Sequence, residues 1–452
     1  MRNHNGWLSV LSVLVLSALF AWPICYATVS PSPWEEMLIK HKWDAIPDNW
    51  VSLGQPPNGT MIKLHIALKA NHENALIGAL HEVSHPKHPK HVLFASTPHF
   101  KAYSRVLFCR FRYGMHLSRE QVDELVAPHP DTLELVFSWL KYNDVPPSSI
   151  SSTHGGGWLT IAGVSVSRAN KILGASYELY YHAWANETIL RTVSYALPAE
   201  LHMHVKTIVP TTAFTSTRLL QQTPLSHSGR EEAPANATTG GPSDVLSRVD
   251  KSFVEPKFLR WLYKMPHDNP VPTDRNKLGI AGLANEFPNR EDLFGFLQRF
   301  RSDVDPWIAS MQIVTVVPVN GGVAVQGSRS MRANIDTQYS VALTFPTQIQ
   351  YYTIGGVQQI SPDGMPISGD PYVEWLRYMI NLENVPQTVS VPYFTRELDL
   401  SEEYAKTLCD DFKALGVRGV SVLVASGDDG VGRPGLDYRF STAFPASCTC
   451  NV

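Results

Sequence analysis

The stretch from Ser401 to Gly430 restricts the possible folds of this chain more than any other. Ser401 is a good N-cap, and Glu402 and Glu403 place negative charge on the first helical turn, where the helix dipole favours it. Tyr404, Leu408, Phe412 and Leu415 recur at helical spacing and give one apolar face. Gly416 is the expected stop, because glycine enters a left-handed C-cap at little cost. Val420 to Ala425 follows as a nearly continuous apolar run, the pattern of a strand buried on both faces of a parallel sheet. It ends in Ser426-Gly427-Asp428-Asp429-Gly430, a glycine-flanked acidic loop at the carboxyl end of that strand. Open parallel sheets place their chemistry at that edge.

The same alternation extends upstream. Strand-like Leu278–Ala284 precedes a helix with Leu293, Phe296, Leu297 and Phe300 on one face. Ile313–Val317 leads to a helix near Met331–Leu343, and Ile349–Ile354 to a helix started by Asp370 and Pro371. Thr388–Val391 precedes the helix that Ser401 caps. Such an order predicts a mainly parallel sheet with helices on both faces. Residues 60–210 read as a separate α/β unit: Met61 to Leu68 is strand-like, and Leu76, Ile77, Leu80 and Val83 mark a helix. Ser118 and Gln121 form a capping box, Asp131 is the expected cap of a helix burying Leu135, Trp139 and Leu140, and Tyr177–His182 and Leu190–Tyr195 are further strands. Between the two units, Thr211 to Ser247 is rich in Ser, Thr, Pro, Gly and Ala, the composition of a solvated linker open to proteolysis. With 452 residues there is room for two or three complete cores.

Export signals frame the chain. Arg2 and His4 precede an apolar run from Trp7 to Ile24, and Ala27 supplies a small residue at cleavage spacing, so residues 1–27 are expected to be a signal peptide. No positive stop-transfer cluster follows, so no membrane attachment is expected after cleavage. Sequons at Asn58, Asn186 and Asn236 agree with a secreted, extracellular glycoprotein. Of five cysteines, Cys25 leaves with the signal; Cys409 can pair with Cys448 or Cys450, and the sequence does not choose.

Several competing chemistries fail on physical grounds. A net charge of -3 and the lack of a basic stripe offer nothing to nucleic acid. His81-Glu-Val-Ser-His85 matches a zinc-protease pattern, but Pro86 ends the helix at the second histidine and no third ligand follows. His202 and His204 read as structural or solvent-facing. The two aspartates of the Ser426–Gly430 loop would repel phosphate, and Asp429 reads as loop surface. Arg332 and Asp336, one helical turn apart beside Met331, Ile335 and Tyr339, read by themselves as a surface ion pair worth about 0.3–0.5 kcal/mol. The apolar trio is spaced for burial, which would put the charged pair on a neighbouring face.

Longer segments give that pair a context. "FLRWLYKMP" at 258–266, "ANIDTQY" at 333–339, "VPQTVSVPY" at 385–393, "YAKTLCDDFKALGVRGVSVLVASGDDGVG" at 404–432 and "FPASC" at 444–448 together resemble the sedolisins, the serine-carboxyl peptidases, most of all the secreted fungal tripeptidyl peptidases. The N-terminal half resembles their propeptide at "SHPKH" (84–88), "YGMHLSREQVDELVAPHP" (113–130) and "LPAELHMHVKTIVPTT" (197–212). The resemblance implies a subtilisin-like domain over 248–452, C-terminally incomplete, preceded by an activation propeptide over 28–212 and a linker over 213–247. It also implies a zymogen that acts on protein or peptide substrates at acid pH, partnered by its own propeptide. In the family a serine nucleophile is served by a glutamate base, an aspartate orients that base, and a protonated aspartate donates to the oxyanion. Asp336 matches the orienting aspartate and Asp428 the oxyanion aspartate.

Four departures shape the expectation. Arg332 falls where the family has its catalytic glutamate; a guanidinium has no acceptor and cannot collect a proton from serine, and it would hold Asp336 ionised. No Gly-Thr-Ser appears in the chain, so neither the nucleophile segment nor the family's calcium site is expected within it. Residues 91–112, basic and aromatic with the lone Cys109, read as an insertion of unspliced intron, and Phe258 stands where relatives usually have cysteine. The sequence therefore predicts a sedolisin-like chain without peptidase activity, with a pseudoenzyme or propeptide-like binder of active peptidases as the alternative. It also predicts exposed apolar surface and poor solubility beside the Val420–Ala425 strand.

Overall fold

The computed structural model of the protein describes residues 32–85, 113–183, 186–215, 254–266, 269, 271, 276–283, 285–324, 331–355, 357–360, 366–427 and 442–449. The signal segment 1–27, the 91–112 segment, most of the linker, and Asn236, Asp428 and Asp429 lie outside the described residues.

The first half is built from short antiparallel strands. In chain order it comprises β1 (Met37–Lys42), β2 (Trp50–Gly54), β3 (Met61–Leu68), α1 (Ala75–Ser84), α2 (Arg119–Val126), α3 (Pro130–Tyr142), β4 (Ile150–Ser152) and β5 (Trp158–Ser165). It continues with α4 (Val166–Ile172), β6 (Glu178–His182), β7 (Glu187–Arg191), β8 (Ser194–Pro198) and β9 (Val205–Val209). One sheet runs β4-β5-β3-β9, all antiparallel, and β2-β6-β7 forms part of another. Leu64, Ile66, Leu159, Ile161 and Ile208 from the first sheet close over Val136, Trp139 and Leu140 of α3. Ser118 and Gln121 make the reciprocal capping box at α2. At α3 the expected cap is corrected: His129 accepts from the Asp131 amide and Pro130 opens the helix, leaving Asp131 in the first turn.

The second half switches to parallel pairing. It comprises α5 (Pro256–Leu262), β10 (Lys277–Gly282), α6 (Arg290–Phe300), α7 (Pro306–Gln312), β11 (Val314–Val319), α8 (Met331–Thr344), β12 (Gln348–Ile354), β13 (Val357–Ile360) and β14 (Pro366–Ser368). After these come α9 (Pro371–Asn381), β15 (Thr388–Val391), β16 (Thr395–Arg396), α10 (Glu402–Val417), β17 (Ser421–Val424) and β18 (Ala443–Phe444). The sheet order is β11-β12-β10-β15-β17, and every neighbouring pair is parallel. Successive side chains on a strand point to opposite faces. Accordingly Ile280 and Tyr351 pack with Leu293 and Leu297 of α6 and Val341 of α8, whereas Ala281 and Tyr352 pack with Trp375 and Leu376 of α9 and Leu408 of α10. Helices therefore cover both faces, as the strand–helix alternation predicts and as the subtilisin-like fold implied by the resemblance has it.

At α10 two expectations change. The helix runs past Gly416 to Val417 and is capped at Arg418, and Gly419, with φ +84°, takes the left-handed position. The strand that follows is shorter than expected and lies at the edge of the sheet, where Leu423 is 60% exposed. The open cysteine choice closes as Cys409–Cys448, which ties the β18 segment to α10.

The two halves share a core. Ala67, Trp158 and Val209 of the first pack with α9 and α10, and Leu76, Leu80 and Val122 pack with Ala414 and Val417. Strand β14 also pairs in parallel with β7, so a strand of the second half extends a sheet of the first. Among the described residues no helix is long and apolar enough to cross a membrane.

Candidate functional site

The carboxyl edge of the parallel sheet gathers the polar groups. The chain leaving β10 carries Glu286, and the chain leaving β15, the neighbouring strand, carries Pro392 and Tyr393. The Tyr393 hydroxyl donates to Glu286 Oε2 at 3.0 Å. Helix α8 brings Arg332 and Asp336 to the same place. Arg332 Nη1 donates to the Pro392 carbonyl at 3.3 Å, and its guanidinium lies 5.8 Å from the centre of the Tyr393 ring.

The rotation of α8 differs from the expected one, and the difference matters. Met331 and Ile335 are 63% and 47% exposed, while Ala333, Thr337, Val341 and Ala342 are buried. Small residues let the helix lie close to the sheet, and polar clamps fix its phase. Asn334 Nδ2 donates to Asp292 Oδ2 at 2.7 Å, the Asn289 amide donates to Asn334 Oδ1 at 2.8 Å, and Gln338 Nε2 donates to the Asp292 carbonyl. Asp336 thus turns into the protein rather than out to solvent.

Burial decides its electrostatics. Asp336 Oδ2 is buried without a hydrogen-bond partner. Loss of solvation pushes its carboxyl up to about 7; Arg332 opposes that rise and Glu286 adds to it. The expectation that Arg332 holds Asp336 ionised is corrected, because the desolvation of a mostly buried carboxylate outweighs one cation a turn away. Tyr351, fully buried beneath the cluster, is held protonated by burial and by the acids Glu286 and Asp336. Gly282 makes room for it: a Cβ there would come within 2.6 Å of the Tyr351 hydroxyl.

The structure therefore brings Arg332 and Asp336 together with Glu286, Tyr393 and Tyr351, three residues that the sequence reading did not select. Glu286 had one usable signal, an acid a few residues beyond a predicted parallel strand. The described part of the Asp428 loop ends at Gly427, which also follows a parallel strand, β17. Among the described residues no group of histidine, cysteine or acidic side chains is placed to hold a metal. His81 and His85 sit at the end of α1 as expected; His204 meets the Thr132 hydroxyl at 2.8 Å and His202 the Leu38 carbonyl at 3.1 Å. Asn58 and Asn186 are in turns, Asn186 with φ +47°.

A parallel α/β body with acids collected at its carboxyl edge, and a separate antiparallel unit seated on its helices, is the architecture of a subtilisin-like proprotein. Residues 110–214 match the pro-kumamolisin activation domain. The chain is 28% identical over 447 residues to tripeptidyl-peptidase SED2 of Arthroderma otae, covering 93% of this chain and 67% of that protein. It is likewise 28% identical over 463 residues to the probable tripeptidyl-peptidase SED3 of Arthroderma benhamiae, covering 98% of this chain and 68% of the relative. Tripeptidyl-peptidase SED4 of Arthroderma otae matches at 27% over 419 residues, with 89% of this chain and 63% of the relative covered. The chain thus carries a sedolisin-type activation domain, is similar along most of its length to sedolisin-family tripeptidyl peptidases, and spans about two thirds of the length of these relatives.

Proposed function

We propose that this chain is a secreted sedolisin proprotein of the tripeptidyl-peptidase type whose site lacks its general base. Its relatives' names supply the substrate class: proteins or peptides, cut to release tripeptides from the amino terminus. The activation domain is the internal partner, covering 28–212, with the linker over 213–247 and the peptidase-like body from 248. In this reading Asp336 holds the place of the aspartate that orients the base, and Asp428 that of the oxyanion donor. An aspartate whose carboxyl titrates near 7 suits a site in which carboxyl groups share protons in acid.

One observation carries the loss of function. Arg332 stands one turn before Asp336, donates to the Pro392 carbonyl and packs on Tyr393. A group with five donors and no acceptor cannot accept a hydroxyl proton at any working pH. Glu286 is the other acid nearby, and it already accepts from Tyr393. The test is release of tripeptides from an unblocked peptide by purified protein at acid pH. No turnover above a heat-inactivated control is expected; turnover that co-purifies with the protein would overturn the reading. The activation-domain contacts favour a second role, that of a non-catalytic binder of active relatives, and retention of an active relative by the immobilised protein would support it.

A further inference from the structure

Across the joint between the two halves lies a buried polar cluster that the candidate site does not use. His65 of β3 is 2% exposed. Its Nε2 lies 3.1 Å from Glu374 Oε1 on α9, and its Nδ1 lies 2.7 Å from Arg377 Nη1 on the same helix. Thr160 Oγ1 of β5 is 3.1 Å from Nδ1, and Lys63 Nζ reaches Glu374 Oε1 at 3.1 Å and Asn320 Oδ1 at 3.0 Å. The neighbours fix the tautomer from both sides. A carboxylate only accepts, so Nε2 carries the hydrogen; a guanidinium only donates, so Nδ1 is bare. Protonating Nδ1 would set an N–H and an imidazolium charge against Arg377 at 2.7 Å.

We propose that His65 is an acid-sensitive pin that seats the activation domain on α9 only while its Nδ1 is unprotonated. The inference rests on the proposed reading of 28–212 as the activation domain and holds whether or not the sedolisin site is catalytic. The charged groups facing the ring are Lys63 on its own strand and Glu374 and Arg377 on α9; Asp411 of α10 lies behind Arg377. Burial, with Arg377 and Lys63 in support, lowers the His65 value despite Glu374. A group whose value is depressed in the seated state contributes to seating above its free value, and that contribution is lost as pH falls below about 6.5. Asp411 acts with the opposite sign: buried and receiving Trp158 Nε1 at 3.1 Å, its carboxyl is pushed up to about 7, so it favours seating in acid. A comparison that holds Asp411 constant is therefore needed.

The experiment uses the full chain and the variant His65→Asn, whose Oδ1 can take the Nδ1 position and accept from Arg377 without titrating. Amide hydrogen exchange over β3 and α9 is read from pH 7.5 to pH 5 in both proteins. The ratio of protection, wild type to variant, is expected to fall by up to about tenfold per pH unit below ~6.5, the limit for one linked proton. A ratio that stays constant with pH overturns the proposal. Should the variant not fold, 15N spectra of histidine-labelled wild type and Arg377→Met decide. Wild type is expected to show a bare Nδ1 near neutral pH, and Arg377→Met to raise the His65 titration midpoint, because the opposing cation is gone while Glu374 remains. An Nδ1–H tautomer, or a midpoint unmoved by Arg377→Met, overturns it.

Discussion

In the proposed reading a single change of charge type decides what the site can do. Where that reading puts a second carboxyl one turn from Asp336, Arg332 offers a permanent cation. The cation only partly offsets the burial of Asp336, whose carboxyl still sits at about 7. Replacing Arg332 by glutamine removes that help, and the Asp336 midpoint is expected to rise further. Carboxyl 13C shifts followed with pH check this; a midpoint near 4 in the parent protein, or a downward shift in the variant, would contradict it. Gly282 sets a steric limit at the same place. Gly282→Ala drives a methyl group into Tyr351, which is packed on every side, and is expected to cost about 1–3 kcal/mol in urea unfolding. An unchanged midpoint would show that Tyr351 has room to move.

Elements differ in how openly the sequence states them. Helices α9 and α10 were legible because each has a capping residue followed by apolar residues at helical spacing, and Asp370 and Ser401 do cap them. Strand β3 matched its expected bounds because six of its eight positions are apolar, all but Lys63 and His65. By contrast β1, with Leu38 and Ile39 exposed and Lys40 half-buried, and β2, with Val51 and Leu53 exposed, carry no contrast that composition alone could read. The phase of α8 was misread because size was taken for burial, when close packing on a sheet selects Ala333 and Thr337 and leaves Met331 outside. The pairing of Glu286 with Tyr393 was not legible: they are 107 positions apart and meet only because β10 and β15 are neighbours in the sheet. At this scale the Cys409–Cys448 bridge closes a loop across 39 positions and should stabilise the fold by about 4 kcal/mol. Cys448→Ser is expected to lower the thermal midpoint and to abolish its dependence on reductant; a reductant-sensitive midpoint in the variant would contradict this. Leu423, exposed on the edge strand β17, should tolerate lysine within about 0.5 kcal/mol. Leu423→Lys is also expected to reduce concentration-dependent association in sedimentation, and equal association would assign that tendency elsewhere.

For the whole molecule, buried acids tilt stability toward acid. Asp336 and Asp411 both titrate near 7 when folded, against an ordinary value of about 3.9. The folded state thus holds the extra protons, and their contribution is complete below about pH 4 and lost as pH rises through 7. Glu374, held down at about 2, acts only in strong acid, and the lowered histidines only below about 6.5. Between pH 6.5 and 8 raised carboxyls dominate, burial shifting Asp370 and Asp399 in the same direction, so the thermal midpoint should fall over that interval and fall less steeply in Asp411→Asn with Asp336→Asn. A midpoint that rises toward pH 8 would contradict this. The most direct measurement on the molecule remains catalytic: purified, folded protein incubated at acid pH with a peptide bearing a free amino terminus, its products read by mass spectrometry. With a guanidinium at position 332, no tripeptide should accumulate above the denatured control. Stoichiometric excess of tripeptide, formed in step with the amount of protein added and lost in Asp336→Asn, would show that the site works without the missing base.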